Sequence, residues 1–156
     1  MRLAAITKDS ITEGPGLRIV VWTQGCNKHC PGCHNPETWD YCGGYEESVD
    51  FIIANCNNYP GDVTFCGGEP FDQLTELIYC CKSINKNIWC YTGYTLDQIL
   101  NSDMKEALQY IDVLIEGPFI ESKRSMECKY RGSLNQRLVD AKQTYINNEY
   151  VEYIEH

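Results

Sequence analysis

The sequence predicts an α/β fold in which helices cover a sheet of parallel strands. Three observations predict it: strand-like and helix-like segments alternate, the connections between them are short, and a glycine-containing segment follows each strand. This alternation is typical of βαβ units, whose right-handed crossovers bring the carboxyl ends of all strands to one edge. We therefore expect the ligand site to lie at that edge of the sheet.

Four segments predict strands because they are short, apolar and rich in β-branched or aromatic residues. They read LRIVVWT, DVTFC, NIWCY and IDVLI. In chain order, these strands are predicted at Leu17–Thr23, Asp62–Cys66, Asn87–Tyr91 and Ile111–Ile115. The segments that follow them, and that should meet at one edge, are Gly25–Cys33, Gly67–Pro70, Thr92–Tyr94 and Gly117–Pro118.

Three segments between these strands predict helices. Glu46–Asn57 and Asp72–Ile84 each place four apolar residues on one face, at spacings of three and four. Thr95–Gln109 begins with a capping box, in which Gln98 follows Thr95 by three residues. Helices of this length are long enough to carry the chain from one parallel strand to the next.

The end of the chain predicts one further element. Thr144–Glu155 alternates polar and apolar residues around Asn147–Asn148, which predicts a small hairpin. The sequence contains no internal repeat and no low-complexity segment. A chain of 156 residues suffices for one core, so we expect a single domain over residues 1–156.

Composition and charge exclude several classes of function. No apolar run approaches 18 residues, so we expect no membrane span, and MRLAAITKDS turns polar too early for a secretory signal. These features predict a cytoplasmic protein. The 22 acidic residues outnumber the 13 basic ones, which argues against a nucleic-acid partner. Basic residues cluster only late in the chain, at Arg124, Lys129, Arg131 and Arg137.

The ten cysteines fall into distinct groups. Without a secretory signal, reduced thiols or metal ligands are favoured over disulfides. Cys42 and Cys128 lie in polar surroundings and receive no role from the sequence. Five others lie in apolar, periodic stretches and should act as small buried apolar residues, namely Cys56, Cys66, Cys80, Cys81 and Cys90.

The remaining three, Cys26, Cys30 and Cys33, have the spacing C-x3-C-x2-C, and His34 follows directly. Four chemistries fit this pattern: a c-type haem on Cys30 to His34, a redox dithiol of Cys30 and Cys33, zinc with His29 or His34 as fourth ligand, and a [4Fe–4S] cluster. A cluster on three thiolates leaves its fourth iron without a protein ligand, and a substrate or cofactor can bind there.

The cysteine loop after the first strand and GGEP (67–70) after the second resemble the radical S-adenosylmethionine family. Within that family, the chain is most similar to the activators of anaerobic ribonucleoside-triphosphate reductase. The other matching stretches are EGPGLR (13–18), QGCNKHCPGCHNPETW (24–39), YTGY (91–94), IEGPF (115–119) and RGSLNQR (131–137). Three residues depart from patterns that are common in the family. Gly32 stands where many members have an aromatic residue, Cys66 stands where Ser is common, and Glu116 stands where Asp is common.

The resemblance implies an incomplete parallel (βα) barrel of the radical S-adenosylmethionine type, with the cluster loop after the first core strand. It also implies two cofactors, a [4Fe–4S] cluster on Cys26, Cys30 and Cys33 and S-adenosylmethionine on the fourth iron. One electron would cleave S-adenosylmethionine, and the resulting radical would take a hydrogen atom from a glycine of anaerobic ribonucleoside-triphosphate reductase. A flavodoxin or a similar reductant would supply the electron.

The resemblance also implies roles for residues of the strand-end segments. Gly67 and Gly68 would contact the amine of the cofactor through their backbone, and Glu69 would accept a hydrogen bond from it or only cap the next helix. Thr92 would contact the carboxylate or the ribose of the cofactor, or would only stabilise the turn after the third predicted strand. Backbone groups would lie near the adenine at Gly32, Cys33 and His34.

Other residues have weaker implied roles. Arg18 would neutralise the cluster charge or pair with Glu69. Tyr91 and Tyr94 would pack rather than relay electrons. The late basic motif would dock the partner or bind the cofactor carboxylate through Arg131, Asn135 and Arg137.

An incomplete barrel has an open side, through which a loop of another protein could enter, and this favours a protein substrate. Two alternatives remain at this point. One is a radical S-adenosylmethionine enzyme that acts on a different glycyl-radical enzyme or on a small molecule. The other is a non-catalytic, metal-bearing interaction module.

Overall fold

The computed structural model describes residues 1–127 and 129–155, which form one mixed sheet of seven strands and four α-helices. The strands are β1 (Arg2–Ser10), β2 (Arg18–Thr23), β3 (Tyr45–Glu46), β4 (Asp62–Gly67), β5 (Ile88–Tyr91), β6 (Val113–Glu116) and β7 (Arg137–Asp140). The helices are α1 (Val49–Asn58), α2 (Leu74–Ser83), α3 (Leu96–Leu100) and α4 (Ala141–Asn147). Cys128 lies outside the described residues. Across residues 1–127 and 129–155, no helix is both long and apolar enough to cross a membrane.

The sheet is parallel at its centre and antiparallel at both sides. Its strand order is β3-β1-β2-β4-β5-β6-β7. The four predicted strands are confirmed as β2, β4, β5 and β6, which pair in parallel. The predicted parallel sheet is confirmed at the centre, and three strands that were not predicted, β1, β3 and β7, pair antiparallel at its sides. Antiparallel strands need no crossover helix, so the helix–strand alternation gave no signal for them.

The first two predicted helices are confirmed as α1 and α2, whereas the third is interrupted. The Thr95 capping box is present, but α3 ends at Leu100. A 3-10 helix over residues 103–110 then begins, and the Ser102 hydroxyl caps it by accepting a hydrogen bond from the Met104 amide. Ser at this position favours a new helix start over continuation of the old one.

The predicted hairpin over Thr144–Glu155 is wrong. Its first part belongs to α4, where the Asp140 carboxylate caps the helix by accepting from the Gln143 amide at 3.1 Å. Asn148 has a φ of 54°, the left-handed conformation that commonly terminates a helix. The apparent alternation around Asn148 is therefore the end of a helix, followed by a short segment that runs back beside β7.

The central strands bury both of their faces, and the two faces differ. On β4, Val63 and Phe65 pack in the core beneath the helices, as does Cys90 on β5. Side chains alternate along a strand, so Cys66 and Tyr91 face the other way. Trp22 pairs with Cys66, and Tyr91 pairs with Ile115. We call the four residues on this opposite face the inner row: Trp22, Cys66, Tyr91 and Ile115.

Arg18 is fully buried at the amino end of β2, with 1% of its surface exposed. Its Nε donates to the Thr64 hydroxyl at 2.8 Å, and its Nη2 donates to the carbonyl oxygens of Val63 (2.8 Å) and Asn87 (3.2 Å). Burial lowers the pKa of Arg18 from its ordinary value. The prediction that Arg18 pairs with Glu69 is wrong, because its hydrogen-bond partners lie at the amino ends of these strands and Glu69 follows the carboxyl end of β4. Its effect on the charge of a cluster stays a prediction.

Candidate active site

The three cysteines of the C-x3-C-x2-C motif lie on a loop that begins directly after β2. The Gly25 amide donates to the Thr38 carbonyl at 2.7 Å, and the Cys26 amide donates to the Trp39 carbonyl at 3.1 Å. These bonds close the loop on itself. Cys26 is buried, while Cys30 and Cys33 are partly exposed, and all three are free thiols. Burial raises the pKa of Cys26, and backbone hydrogen bonds in the loop partly oppose this.

Gly32 completes a tight turn between the second and third cysteines. The Cys33 amide donates to the Cys30 carbonyl at 3.0 Å, and Gly32 has a φ of 75°, which residues with a side chain rarely adopt. The Asn35 amide donates to the Cys33 sulfur at 3.4 Å. Gly32 itself does not line the cavity described below. Its role is to set the turn, and the adenine contact remains a prediction.

A cavity of ≈ 470 Å³ opens at the carboxyl edge of the parallel strands. Its wall contains all three loop cysteines together with the inner row. Six of the seven residues predicted to bind the cofactor also line it, namely Cys33, His34, Gly67, Gly68, Glu69 and Thr92. The sequence therefore located the edge of the sheet at which these side chains meet.

The GGEP turn packs directly against the start of the cysteine loop. The Gly68 amide donates to the Thr23 carbonyl and the Glu69 amide donates to the Gly25 carbonyl, both at 2.8 Å. A β-carbon on Gly68 would lie 2.9 Å from the backbone nitrogen and carbonyl carbon of Gly25. The sequence suggested that these glycines allow close approach to a cofactor, and the structure shows close approach to the cysteine loop.

We expect Gly68→Ala to destabilise the protein by about 1–3 kcal/mol, because the methyl group would collide with backbone rather than with a flexible side chain. It should also reduce the iron that the loop retains. Urea denaturation and iron analysis would measure both effects. Gly16→Ala is a control for iron retention, since nothing lies within 4 Å of a β-carbon there, although its φ of 73° gives that substitution a backbone cost of its own. Equal stability and equal iron content of Gly68→Ala and wild type would contradict the packing described here.

Glu69 is buried, with 1% of its surface exposed, and its carboxylate is surrounded by donors. Oε2 accepts from the Phe71 amide at 3.1 Å and from the Thr92 hydroxyl at 2.8 Å, while Oε1 accepts from the Gly93 amide at 2.7 Å. Glu69 therefore caps the 3-10 helix over residues 70–73 and also fixes the turn after β5. Burial raises the pKa of Glu69 to about 7, although the three donors and the nearby charge of Lys28 act in the opposite direction.

This raised pKa predicts a pH dependence of stability. Between its ordinary value of 4.5 and about 7, the folded protein holds a proton on Glu69 that the unfolded chain has lost. The free energy of unfolding should therefore fall as pH rises through this window, by on the order of 3 kcal/mol. Urea denaturation of cluster-free, reduced protein at several pH values would measure it. Glu69→Gln, which cannot titrate, should lack this slope, and an identical slope in both proteins would contradict the assignment.

The two late motifs, IEGPF and RGSLNQR, hold each other in place. The Asn135 side chain donates to the Pro118 carbonyl at 2.8 Å, and the Gln136 side chain donates to the Gly117 carbonyl at 2.9 Å. Arg137 forms an ion pair with the buried Glu116 at 2.6 Å. Arg131 donates to the Gln136 carbonyl at 2.9 Å, so all three predicted docking residues are engaged within the chain, and Arg131 is the one of the three that lines the cavity.

Several cavity residues were not singled out from the sequence. Lys28 lies on the cysteine loop, with its Nζ 3.4 Å from the centroid of the Tyr94 ring. Trp39 stacks on His29 at 4.5 Å, and Phe119 lies 5.3 Å from the His34 ring. Lone lysines and aromatic residues in loops carry no recognisable spacing, so no pattern could have identified them.

The tyrosines of YTGY are held by hydrogen bonds, in agreement with a packing role. The Tyr91 hydroxyl donates to the Tyr130 carbonyl at 2.7 Å. The Tyr94 hydroxyl bonds Asp72 at 2.5 Å, and Asp72 also accepts from Tyr41 at 2.7 Å. Burial raises the pKa of both Tyr91 and Tyr94, so neither phenol ionises readily.

Among the described cysteines outside the loop, the predicted burial of five is confirmed, and one of them also lines the cavity. Cys42 is exposed. The five cysteines predicted to be buried are all buried free thiols, namely Cys56, Cys66, Cys80, Cys81 and Cys90. Cys66 differs from the other four because it also lines the cavity. Burial raises its pKa to about 12, so the free thiol is neutral.

The three loop thiols form a donor set that fits a [4Fe–4S] cluster. In the part of the chain that the structure describes, no three His, Cys, Asp or Glu side chains are close enough to hold one metal ion. A zinc site needs four ligands at about 2.0–2.3 Å from the same metal. A [4Fe–4S] core instead takes each thiolate on a different iron. Three free thiols on one loop, beside a cavity, fit that requirement.

Comparisons with known proteins agree with this chemistry. A family model described as a 4Fe-4S single cluster domain matches residues 12–139. Three similar proteins carry the name anaerobic ribonucleoside-triphosphate reductase-activating protein. The one from Vibrio cholerae is 33% identical over 139 residues, covering 81% of this chain and 89% of the relative. Those of Escherichia coli (strain K12) and Enterobacteria phage T4 are 31% and 32% identical, each over 81% of this chain and over 90% and 85% of the relative.

Proposed function

We propose a function from the premise that this chain belongs to the family of anaerobic ribonucleoside-triphosphate reductase-activating proteins and carries a 4Fe-4S single cluster domain. The chain would activate such a reductase by generating a glycyl radical on it. One-electron reductive cleavage of S-adenosylmethionine is the chemistry that a reduced [4Fe–4S] cluster and this cofactor supply together when bound. The observation that carries the proposal is the meeting of three free loop cysteines and the GGEP turn on one cavity wall.

Cys26, Cys30 and Cys33 would hold the cluster, each on a different iron. The turn set by Gly32 and the bond from the Asn35 amide to the Cys33 sulfur would fix the loop in a conformation that wraps the cluster. Because donors to cluster sulfurs tune the reduction potential, this amide belongs to the machinery of the site. The protein's contribution is to bind the cluster, orient the cofactor and exclude water.

The cofactor would lie along the GGEP turn, with its amine against the backbone of Gly67 and Gly68 and the carboxylate of Glu69. An ammonium group beside Glu69 would stabilise the ionised carboxylate and lower its raised pKa. The Thr92 hydroxyl already donates to Glu69 and accepts from the Tyr94 amide. We therefore assign Thr92 to positioning Glu69. Cys33 and His34 would lie near the adenine.

The architecture is consistent with a protein substrate. We propose that residues 1–156 form a single domain and an incomplete (βα) barrel, with the inner row on its interior surface. Four parallel strands do not close a barrel of the eight-stranded type, so one side stays accessible. A glycine-bearing loop of the reductase could reach the cavity from that side. A flavodoxin-like reductant would deliver the electron to the cluster.

Anaerobic reconstitution with iron and sulfide tests this proposal. After a reductant and S-adenosylmethionine are added, 5′-deoxyadenosine should form, and electron paramagnetic resonance should detect a glycyl radical on the cognate reductase. Formation of 5′-deoxyadenosine without that radical would point to another glycyl-radical enzyme or a small-molecule substrate. No 5′-deoxyadenosine from a protein with an intact cluster would favour a non-catalytic, metal-bearing module.

A further inference from the structure

We propose that Cys66 is a fourth thiol ligand of the cluster, which binds the iron left free by Cys26, Cys30 and Cys33 when no cofactor is present. The inference rests on the proposed function in one respect, namely that the three loop cysteines hold a [4Fe–4S] cluster. It adds a resting state in which all four irons have protein ligands. Cofactor binding would then displace the Cys66 thiolate from the fourth iron.

The first argument is the direction in which Cys66 faces. Its neighbours on β4 at odd positions, Val63 and Phe65, pack in the core beneath the helices. Cys66 belongs to the opposite face and lines the same cavity as the three loop cysteines. Other thiols buried in the sheet and helices, such as Cys90 and Cys81, pack in the helix-covered core instead. Among the described residues, Cys66 is the one cysteine outside the loop that lines this cavity.

The second argument is that, in the described part of the chain, no other side chain engages the Cys66 thiol. Its residue is only 9% exposed, and within residues 1–127 and 129–155 no side chain hydrogen-bonds its sulfur, whose polar neighbour is the backbone amide of the adjacent Gly67. The backbone carbonyl of Cys66, by contrast, accepts from the Thr23 hydroxyl at 3.1 Å. A buried, polarisable sulfur that faces a cavity lined by metal-binding thiols is suited to bind a soft metal.

The third argument is the proximity of the two backbones. Cys66 pairs with Trp22 on the neighbouring strand, so it lies beside the residues that lead into the cysteine loop. Two bonds join the segments just beyond it, from the Gly68 amide to Thr23 and from the Glu69 amide to Gly25. Gly25 directly precedes Cys26. The strand end that carries Cys66 is therefore tied to the loop that would hold the cluster.

The proposed step is a ligand exchange without electron transfer. In a cluster on three thiolates, water would occupy the fourth iron. The Cys66 sulfur would form a bond to that iron, the iron–water bond would break, and the thiol proton would pass to solvent. When S-adenosylmethionine arrives, its amine and carboxylate would replace the sulfur, and Cys66 would take up a proton again. The resting cluster would be protected from oxidants, while the loaded cluster would be ready to react.

The test is Mössbauer spectroscopy of clusters reconstituted in thiol-free buffer. Wild type without cofactor should show four irons in all-sulfur environments, and adding S-adenosylmethionine should make one of them distinct. Cys66→Ala and Cys66→Ser should show that distinct iron before any cofactor is added. Cys90→Ala is the matched control, because Cys90 is also a buried thiol, on the adjacent strand, but faces the helices. It should behave as wild type.

A second readout is the loss of the visible absorbance of the cluster in air, which should be several-fold faster in Cys66→Ala than in Cys90→Ala. A distinct iron in wild type without cofactor would overturn the inference, even if the Cys66 variants failed to fold. That result would leave the proposed function intact, since the cluster would be present. Absence of any cluster in wild type would instead overturn the proposed function, and this inference with it.

Discussion

Each of three single substitutions should prevent stable assembly of the cluster: Cys26→Ala, Cys30→Ala and Cys33→Ala. Each should also reduce cleavage of S-adenosylmethionine by more than about 100-fold. Losing residues that only support a metal ligand already costs about 10–100-fold, so losing a ligand itself should cost more. All three sulfurs belong to one short loop on the cavity wall, and a cubane held by only two of them would have an iron that has lost its loop ligand in addition to the iron that binds the cofactor.

The measurements are iron and sulfide content after anaerobic reconstitution, followed by quantification of 5′-deoxyadenosine. Cys56→Ala serves as the control, because Cys56 is fully buried in α1 among the helices and does not line the cavity. It should lower stability, since it shortens a core side chain, while the cluster still assembles. Full iron content and turnover in any one of the three loop variants would contradict the ligand assignment.

Arg18→Ala should lower the free energy of unfolding by about 3 kcal/mol or more. The substitution leaves the buried Thr64 hydroxyl and Val63 carbonyl without a donor that they have in the native protein. Each buried polar group that loses its partner costs about 1–3 kcal/mol, and the missing side chain also leaves a cavity beneath Trp89. Arg18→Lys should recover only part of the loss, because an ammonium cannot reproduce the planar fork of a guanidinium.

Urea denaturation of the reduced, cluster-free protein would measure this effect. Arg124→Ala is the control, since Arg124 is exposed, and its change should stay within about 0.5 kcal/mol. If Arg18→Ala and Arg124→Ala unfolded at the same urea concentration, the buried hydrogen bonds of Arg18 would contribute nothing net to stability.

The central strands and the site edge could be predicted because burial on both faces leaves a continuous apolar run. The edge strands could not, since Arg2–Ser10 mixes polar and apolar residues along a half-exposed strand. The break after Leu100 depends on one capping serine within an otherwise helical pattern. For Arg18, the sequence showed a charged residue at the start of a strand, and only the packing of neighbouring strands revealed its burial.

Within the site, motifs predicted which segments meet but not the bonds between them. RGSLNQR and IEGPF are separated in sequence, and their mutual hydrogen bonds depend on the antiparallel pairing of β6 and β7. The apolar setting of Cys66 predicted its burial correctly. Its orientation toward the cavity depends on which face of β4 the helices cover, and that follows only from the assembled sheet.

Glu69 connects three segments that are far apart in sequence. Its amide reaches the start of the cysteine loop, its side chain reaches the turn after β5, and it caps its own helix. These connections form during folding, when the chain loses its conformational freedom. A ligand that enters this rim finds its surroundings already ordered, so little of its binding free energy is lost to immobilising loops. The same connections imply that disturbing one of the three segments would loosen all of them together.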